Sequence, residues 1–207
     1  MGKQADVHVK ILNAHSTDAL MSVYDDWAER YETELLDDWG YTSPQMAVAL
    51  LQRYSNVDGS SVLDAGCGTG LVGELLAGAG VKELFGVDYS QGMLDKANDK
   101  GVYQSLAKID LNKEVPIASA SYDAITCIGT FTSTHVVPEA LRELVRLTRS
   151  GGFVVFTVRD DYWEATKFID ILIELHSQRL VCIEEIRVEP YIHSEGSECR
   201  FVVLRVC

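Results

Sequence analysis

The sequence predicts an α/β protein of the doubly wound type, with a mostly parallel sheet covered by helices on both faces. Three observations support this prediction. Strand and helix patterns alternate from residue 61 to residue 177, a glycine-rich turn joins the first of these strands to its helix, and two strand patterns with no helix between them follow. Repeated β-α units specify a parallel sheet. We expect one domain over 1–207, with a helical segment over 1–42 and the α/β core over 43–207.

The first forty residues are predicted to be helical. Apolar residues recur at close to helical spacing from Thr17 to Asp38, and acidic residues fill much of the remainder. Ser16 or Thr17 can cap the start of this helix. A second helix is predicted after Ser43, because Pro44 suits the first turn of a helix. Three aromatic residues of the first helix fall on one face: Tyr24, Trp27 and Tyr31.

The core elements then follow in a regular order. Short apolar runs rich in β-branched and aromatic residues predict five strands: SSVLDAG, ELFGVD, YQSLAKID, YDAITCIG and GGFVVFTVRD. Longer segments with helical periodicity predict the helices between and after them: GLVGELLAGAG, QGMLDKANDKG, PEALRELVRLTRSGG and YWEATKFIDILIELHS. The last two strand patterns, RLVCIEEIRVEPYI and CRFVVLRVC, leave no room for a helix, so we expect them to pair as an antiparallel hairpin.

Composition excludes several classes of function. Acidic residues outnumber basic ones by 31 to 18, and the resulting net charge of −13 opposes binding to nucleic acid. No apolar run approaches the eighteen residues of a membrane span, and the N-terminus lacks the apolar core of a signal peptide. The five cysteines are widely spaced without a CxxC pair, and the five histidines show no metal-ligand spacing. We therefore expect no metal, and a location in the reducing cytosol or the nucleus.

The stretch VLDAGCGTGLVGELL indicates a ligand site. It lacks the Lys and Ser/Thr of a P-loop, and its glycines, Gly66, Gly68 and Gly70, have the spacing GxGxG rather than the GxGxxG of a dinucleotide fold. Asp64 stands two residues before the first glycine, where a carboxylate would repel a diphosphate but can receive an ammonium group. The turn therefore favours a ligand with an amino group and no phosphate.

The next two strands extend this interpretation. The second strand ends in Asp88, which can accept hydrogen bonds from both hydroxyls of a ribose. The third strand ends in Asp110 and Leu111, where an exocyclic amine of adenine and an apolar contact are expected. An amino acid, a ribose and an adenine together describe S-adenosyl-L-methionine.

Four motifs carry a resemblance to a known family: VLDAGCGTG, GVDYSQGML, KIDLN and the final hairpin. From about Pro44 to Cys207 they resemble the class I S-adenosylmethionine-dependent methyltransferases. The resemblance implies a Rossmann-like fold with a seven-stranded sheet of order 3-2-1-4-5-7-6 and an antiparallel strand 7. It implies cofactor contacts from the motif residues: Asp64, Gly66, Cys67, Gly68, Gly70, Asp88, Tyr89, Ser90, Met93, Asp110, Leu111, Ile128 and Gly129. More narrowly, YDDWAERYE and CIGTFTSTHVVPEAL resemble the methyltransferase-like family associated with the Williams-Beuren syndrome chromosomal region.

The aromatic stripe of the first helix has two interpretations. Tyr24, Trp27 and Tyr31 are either the packing face of an amphipathic helix or part of a lid whose rings close over the cationic sulfonium. The family resemblance favours the lid. Arg30, on a neighbouring face, either pairs with the methionine carboxylate or is a solvated charge. The acidic residues from Asp25 to Asp38 are expected to form the solvated face of the helix; at a substrate entrance they would favour a cationic substrate.

His135 lies in the loop after the fourth strand, and such loops line the ligand crevice of open α/β sheets. Its imidazole can accept a proton from an attacking hydroxyl or amine, or it can serve only to stabilise the loop. Cys67 and Cys127 suit close packing better than nucleophilic chemistry.

The expected activity is methyl transfer from S-adenosyl-L-methionine to a small molecule, with the acceptor pocket formed by the lid, the Gly129–Pro138 loop and the Tyr191–Glu198 turn. Three alternatives remain open at this point: a protein methyltransferase of the same fold, a cofactor-binding module without catalysis that acts through a partner, and a disfavoured NAD-dependent oxidoreductase. Oligomeric state does not follow from the sequence.

Overall fold

The computed structural model describes residues 7, 9–11, 13–14, 16–133 and 135–207. The helical segment predicted over 1–42 is therefore described continuously only from Ser16 onward, and two of the five histidines, His8 and His15, lie outside the described residues. Ser16 caps the first helix, because its Oγ accepts a hydrogen bond of 3.1 Å from the backbone N–H of Ala19.

Seven strands form one sheet in the order β3-β2-β1-β4-β5-β7-β6. Strand β7 is antiparallel to β5 and β6, and the other pairings are parallel. The strands are β1 (Ser61–Ala65), β2 (Glu83–Asp88), β3 (Ser105–Lys108), β4 (Tyr122–Phe131), β5 (Thr148–Arg159), β6 (Val181–Ile192) and β7 (Ser197–Val206). The predicted fold class, strand order and closing hairpin are all confirmed.

Seven α-helices of at least seven residues are present in the described ranges: α1 (Thr17–Trp27), α2 (Ser43–Tyr54), α3 (Leu71–Gly78), α4 (Gln91–Asp99), α5 (Leu141–Leu147), α6 (Asp160–Thr166) and α7 (Ile169–Ser177). Shorter helical segments follow α1 (Tyr31–Thr33, then a π-helix over Glu34–Asp38), precede α5 (Pro138–Ala140, 3₁₀) and precede β7 (His193–Glu195, 3₁₀).

Three helix predictions are corrected. The first helix does not run unbroken to Asp38, because α1 ends at Trp27 and the chain re-enters helix at Tyr31. Helix α5 ends at Leu147 instead of the glycines that follow, because β5 already begins at Thr148. The last predicted helix is two helices, separated where Lys167 adopts a left-handed conformation with φ of +51°.

Tertiary contacts explain the two breaks. After α1, the indole Nε1 of Trp27 donates a 2.7 Å hydrogen bond to the buried carboxylate of Glu34, which requires the chain to fold back. At Lys167, the turn carries Phe168 into the core, where it is fully buried and stacks on Trp163 at 5.6 Å. In both places the burial of an aromatic ring prevails over helix continuity.

Helix α1 is docked on the start of α4. The carboxylate of Asp25 accepts hydrogen bonds from the Ser90 hydroxyl (2.5 Å) and from the Gly92 backbone N–H (2.9 Å). A Cβ at Gly92 would lie 2.9 Å from the Cα of Asp25, so only glycine allows this approach. The anionic side chain lies at a helix N-terminus, where the dipole stabilises it. Part of the acidic run is therefore engaged with the core rather than solvated.

The central strands hold the core, with helices on both faces of the sheet. Side chains of β1, β4 and β5 alternate between two large buried clusters, one on each face. Among the helices of the described residues, none is long and apolar enough to cross a membrane.

Candidate active site

A first cavity lies where β1, β2 and β4 end, beneath α1. Twelve of the predicted site residues line it: Tyr24, Tyr31, Gly66, Gly68, Asp88, Tyr89, Met93, Asp110, Leu111, Ile128, Gly129 and His135. Five further residues line it without having been predicted: Met21, Ile109, Asn112, Thr130 and Val136. The parallel strands bring these positions together, because their carboxyl ends share one edge of the sheet.

The glycine turn forms the floor of this cavity. Gly66 and Gly68 have φ of +73° and +53°, a region that favours glycine. A Cβ at Gly66 would overlap the hydroxyl of Thr130, whereas a Cβ at Gly68 would meet no atom within 4 Å. The missing side chain at Gly68 therefore leaves free space beside the cavity, which is a cradle for a ligand.

Asp88 joins the end of β2 to the glycine turn. Its two carboxylate oxygens accept backbone hydrogen bonds from Gly68 (2.8 Å) and Ser90 (2.9 Å). Burial raises the pKa of this carboxyl, and the backbone hydrogen bonds oppose that rise. The carboxylate therefore faces the cavity in an orientation fixed by the backbone.

Asp64 does not face the first cavity, where the sequence predicts that it receives an ammonium group. It is 1% exposed and is not among the described residues that line the first cavity. Its oxygens accept hydrogen bonds from the hydroxyls of Tyr103 (2.8 Å) and Thr126 (2.9 Å), and burial raises its pKa to about 6. Asp64 therefore ties the end of β1 to β4 and to the segment before β3 in the protein interior.

Asp110 and Asn112 organise the loop after β3. Asp110 accepts a 3.0 Å hydrogen bond from the backbone of Asn112 and pairs with Lys113 at 3.2 Å. The Asn112 side chain reaches across to the loop after β4, donating to the His135 carbonyl (2.8 Å) and accepting from the Val137 N–H (2.9 Å). Asn112 thus ties the two loops together, a role that no local sequence signal indicates.

His135 is held between α1 and its own loop. Its Nε2 lies 2.7 Å from the hydroxyl of Tyr24, its Nδ1 contacts the hydroxyl of Thr132, and the two rings of His135 and Tyr24 lie 5.2 Å apart. Burial lowers the pKa of His135 to about 4, because the charged imidazolium loses its solvation. The ring is therefore neutral at physiological pH and can accept a proton.

The remaining predicted residues lie around the first cavity rather than on its surface. Arg30 is largely exposed and pairs with Glu34 at 3.1 Å. Ser90 caps α4, and Gly70, with φ of +89°, caps α3. Cys67 is buried, and burial raises the pKa of its thiol. Trp27 does not line the first cavity, and its indole donates a hydrogen bond to Glu34.

A second cavity, of about 240 Å³, adjoins the first. Its lining comes from the N-terminal segment, from the loop after β4 and from the ends of β5 and β6: Ile11, Tyr24, Trp27, Tyr31, Leu35, Trp39, Gly129, Thr132, Ser133, His135, Arg159, Asp161, Tyr191 and Ile192. Tyr24, Tyr31, Gly129 and His135 line both cavities and form their common wall. Among the described residues, no group of three or more His, Cys, Asp or Glu side chains could hold a metal ion.

Comparison with known proteins places this site in a family. Residues 63–156 match the family model of a methyltransferase domain. Methyltransferase-like protein 27 of Homo sapiens is 34% identical over 164 residues, which cover 76% of this chain and 66% of that protein. Malonyl-[acyl-carrier protein] O-methyltransferase of Serratia marcescens is 33% identical over 108 residues, covering 52% and 42%. The chain thus spans between about two fifths and two thirds of the length of these two relatives.

The fold agrees with these matches. A solved structure of an S-adenosylmethionine-dependent methyltransferase from Aquifex aeolicus superposes with a TM-score of 0.60 at 18% identity, covering 90% of this chain and 98% of that one. The chain belongs to the class I S-adenosylmethionine-dependent methyltransferases, and S-adenosylmethionine is its cofactor. The residues present fit this cofactor: the open space at Gly68, the partly buried carboxylate of Asp88 and the apolar wall of Leu111 and Ile128 offer a cradle, a hydroxyl acceptor and a slot for a flat base.

Proposed function

We propose that the protein transfers a methyl group from S-adenosylmethionine to a small-molecule acceptor bound in the second cavity. The cofactor supplies an activated methyl group on a sulfonium. The observation that carries the proposal is the common wall of the two cavities, where His135 and Tyr24 lie between the first cavity and the second. An acceptor in the second cavity would lie next to the methyl group and beside a neutral imidazole.

Within this proposal, the residues of the first cavity hold the cofactor. Asp88 accepts hydrogen bonds from the ribose hydroxyls, Asp110 receives the adenine amine, and Leu111 contacts the base. The backbone of the glycine turn holds the amino-acid end. Arg30 is already paired with Glu34 and largely exposed, which does not support a contact with the methionine carboxylate. The fixed orientation of Asp88 supports its role most directly.

His135 has the role of proton acceptor in the proposed reaction. Its neutral state also avoids placing a second cation beside the sulfonium. Asn112 positions it, since the Asn112 side chain bonds to the backbone on both sides of Val136. The protein's other contributions are alignment of the acceptor and exclusion of water by α1, which we propose acts as a lid.

The small size of the second cavity supports a small acceptor over a protein side chain. A protein substrate needs a long open groove, whereas this cavity has a volume of about 240 Å³ and the segment around α1 contributes Trp27, Leu35 and Trp39 to its wall. We further propose that the protein acts in the cytosol or the nucleus, a location that its five free cysteines support. We also propose the narrower relationship to the methyltransferase-like family associated with the Williams-Beuren syndrome chromosomal region.

The test is transfer of labelled methyl from S-adenosylmethionine into a desalted lysate supplemented with a small-metabolite fraction, with products separated by size. We expect label in the small fraction, and its loss in Asp88→Ala. Label only on macromolecules would replace the proposal with a protein methyltransferase. Cofactor binding without label above the Asp88→Ala background would indicate a non-catalytic module.

A further inference from the structure

The residues that line the second cavity indicate the chemical class of molecule that it binds. Its walls present several aromatic rings that already pack on one another: Trp27 lies 4.7 Å from Tyr31 and 5.2 Å from Trp39, between ring centroids. Tyr191 adds a further ring near the end of β6. Such walls bury a flat ring well, because aromatic pairs gain from offset and edge-to-face packing as well as from buried area.

The charges that line this cavity are matched among themselves. Arg159, at the end of β5, pairs with Asp161 at 3.2 Å and with Glu195 at 3.7 Å, and it lies 5.9 Å from the ring centre of Tyr191. An anionic acceptor would have to compete with two carboxylates for this guanidinium, and a cationic one would have to compete with the guanidinium for those carboxylates. The cavity therefore suits a neutral molecule.

The phenol side chain of Tyr24 already contacts His135, the proposed proton acceptor. The hydroxyl of Tyr24 lies 2.7 Å from Nε2 of His135, while Nδ1 faces the hydroxyl of Thr132. A neutral His135 satisfies both contacts in either tautomer: with the proton on Nδ1, Nδ1–H donates to Thr132 and Nε2 accepts from the phenol, and with the proton on Nε2 both roles are reversed. In the Nδ1–H tautomer, the common wall of the two cavities displays, in the molecule's own side chains, a phenolic O–H directed at the lone pair of His135.

We propose that the methyl acceptor is a small, neutral aromatic compound with a phenolic hydroxyl, and that this hydroxyl replaces that of Tyr24 on Nε2 of His135. The inference rests on the proposed function. In the transfer step, the phenolic oxygen forms a bond to the methyl carbon and the carbon–sulfur bond breaks with its electron pair left on sulfur. The phenolic proton passes to Nε2, so the positive charge moves from the sulfonium to the imidazolium.

Acidity favours a phenol over an aliphatic alcohol. A phenolic hydroxyl has a pKa near 10, whereas that of water is about 15.7 and aliphatic alcohols resemble water in this respect. A buried imidazole is a weak base, so a more acidic hydroxyl lowers the cost of moving the proton to it. A carboxylate acceptor would need no base at all and would leave His135 without a role.

The test uses 4-methylphenol, which reproduces the side chain of tyrosine, with protein loaded with S-adenosylhomocysteine so that no turnover occurs. Matched probes are toluene, 4-methylcyclohexanol, 4-methylaniline and 4-methylbenzoate, and binding is measured by calorimetry. We expect 4-methylphenol to bind at least about tenfold more tightly than each of the others, and His135→Ala to abolish its advantage over toluene.

Tyr24→Phe separates this inference from a general preference for apolar rings. Removing the competing hydroxyl should tighten 4-methylphenol binding by about two- to tenfold and leave toluene unchanged, since one hydrogen bond to Nε2 no longer has to be displaced. Tyr54→Phe is the matched control, because Tyr54 lines neither cavity and its hydroxyl bonds to Glu185; no change is expected. Equal affinities in wild type and Tyr24→Phe would overturn the displacement.

Turnover distinguishes failure of this inference from failure of the proposed function. With labelled S-adenosylmethionine, the expected product of 4-methylphenol is its methyl aryl ether, which is absent in His135→Ala. Label on the amine, the carboxylate, the aliphatic alcohol or on metabolites other than phenols would leave the small-molecule proposal standing and overturn the phenol. Label on macromolecules alone, or no label despite cofactor binding, would overturn both.

Discussion

Gly73→Ala should separate the contribution of the Asp64 hydrogen bond from that of helix α3, which contains Gly73. Gly73 lies in α3, and an added Cβ would overlap the hydroxyl and Cζ of Tyr103 and lie 2.8 Å from its Cε1. The Tyr103 ring must therefore move, and its 2.8 Å hydrogen bond to Asp64 is lost. Gly78→Ala in the same helix is the matched control, since a Cβ there would meet nothing within 4 Å.

The magnitude follows from two opposing contributions. A hydrogen bond to a buried charged group contributes about 1.5–3 kcal/mol, while replacing glycine by alanine within a helix gains up to about 1 kcal/mol. The expected net loss for Gly73→Ala is about 1–2 kcal/mol at pH 7, against a small gain for Gly78→Ala. In a domain of this size a loss of 1–2 kcal/mol lowers Tm by roughly 2–8 °C.

Protonation of Asp64 sets the pH dependence of this loss. Burial raises the pKa of folded Asp64 to about 6 from its ordinary 3.8, so the folded state binds the proton more tightly than the unfolded state. Its contribution to stability is therefore greatest below about pH 4 and is lost as pH rises through about 6. Because a lost donor matters most to the ionised carboxylate, the effect of Gly73→Ala should be larger at pH 7 than at pH 5.

The assay is urea unfolding of both glycine variants, each also combined with Tyr103→Ala, at pH 5 and pH 7. When Tyr103 is already alanine, Gly73→Ala should no longer destabilise the protein, because the clash and the hydrogen bond are both absent. Only the small gain from replacing glycine by alanine in a helix should remain. Equal stability of Gly73→Ala and Gly78→Ala at pH 7 would refute the assigned role of Tyr103.

Three further predictions follow from contacts between elements. Gly92→Ala should undock α1 by forcing Asp25 away, so amide exchange across α1 should accelerate while α3 stays protected. His135→Gln should weaken the loss of stability at acid pH. The pKa of His135 is about 4 in the folded state against 6.5 in the unfolded state, so the wild type loses up to about 3 kcal/mol of unfolding free energy as pH falls from 6.5 to 4. The same loss in His135→Gln would argue against a neutral imidazole in the folded protein. Asn112→Ala should expose the Val137 amide to exchange, whereas Asn112→Asp, which retains the acceptor oxygen, should keep it protected.

The order of elements and half of the site follow from local sequence patterns. Strand and helix periodicities lie within windows of ten residues or so, and the right-handed crossover of β-α units then brings the strand ends to one edge. That is why Asp88 and Asp110, each predicted from the end of a strand, line the same cavity as the glycine turn. The ligand class could be derived from these positions because they need no knowledge of distant side chains.

Contacts between distant parts of the chain decided the rest. Asp64 turned inward because Tyr103 and Thr126, 39 and 62 positions away, supply its hydrogen bonds. The pairing of Tyr24 with His135 joins residues 111 positions apart, and the second cavity lies between the N-terminal helical segment, the loop after β4 and the ends of two strands. Periodicity in the sequence predicts which face of an element is buried. Which other element packs against that face depends on the packing of the whole domain.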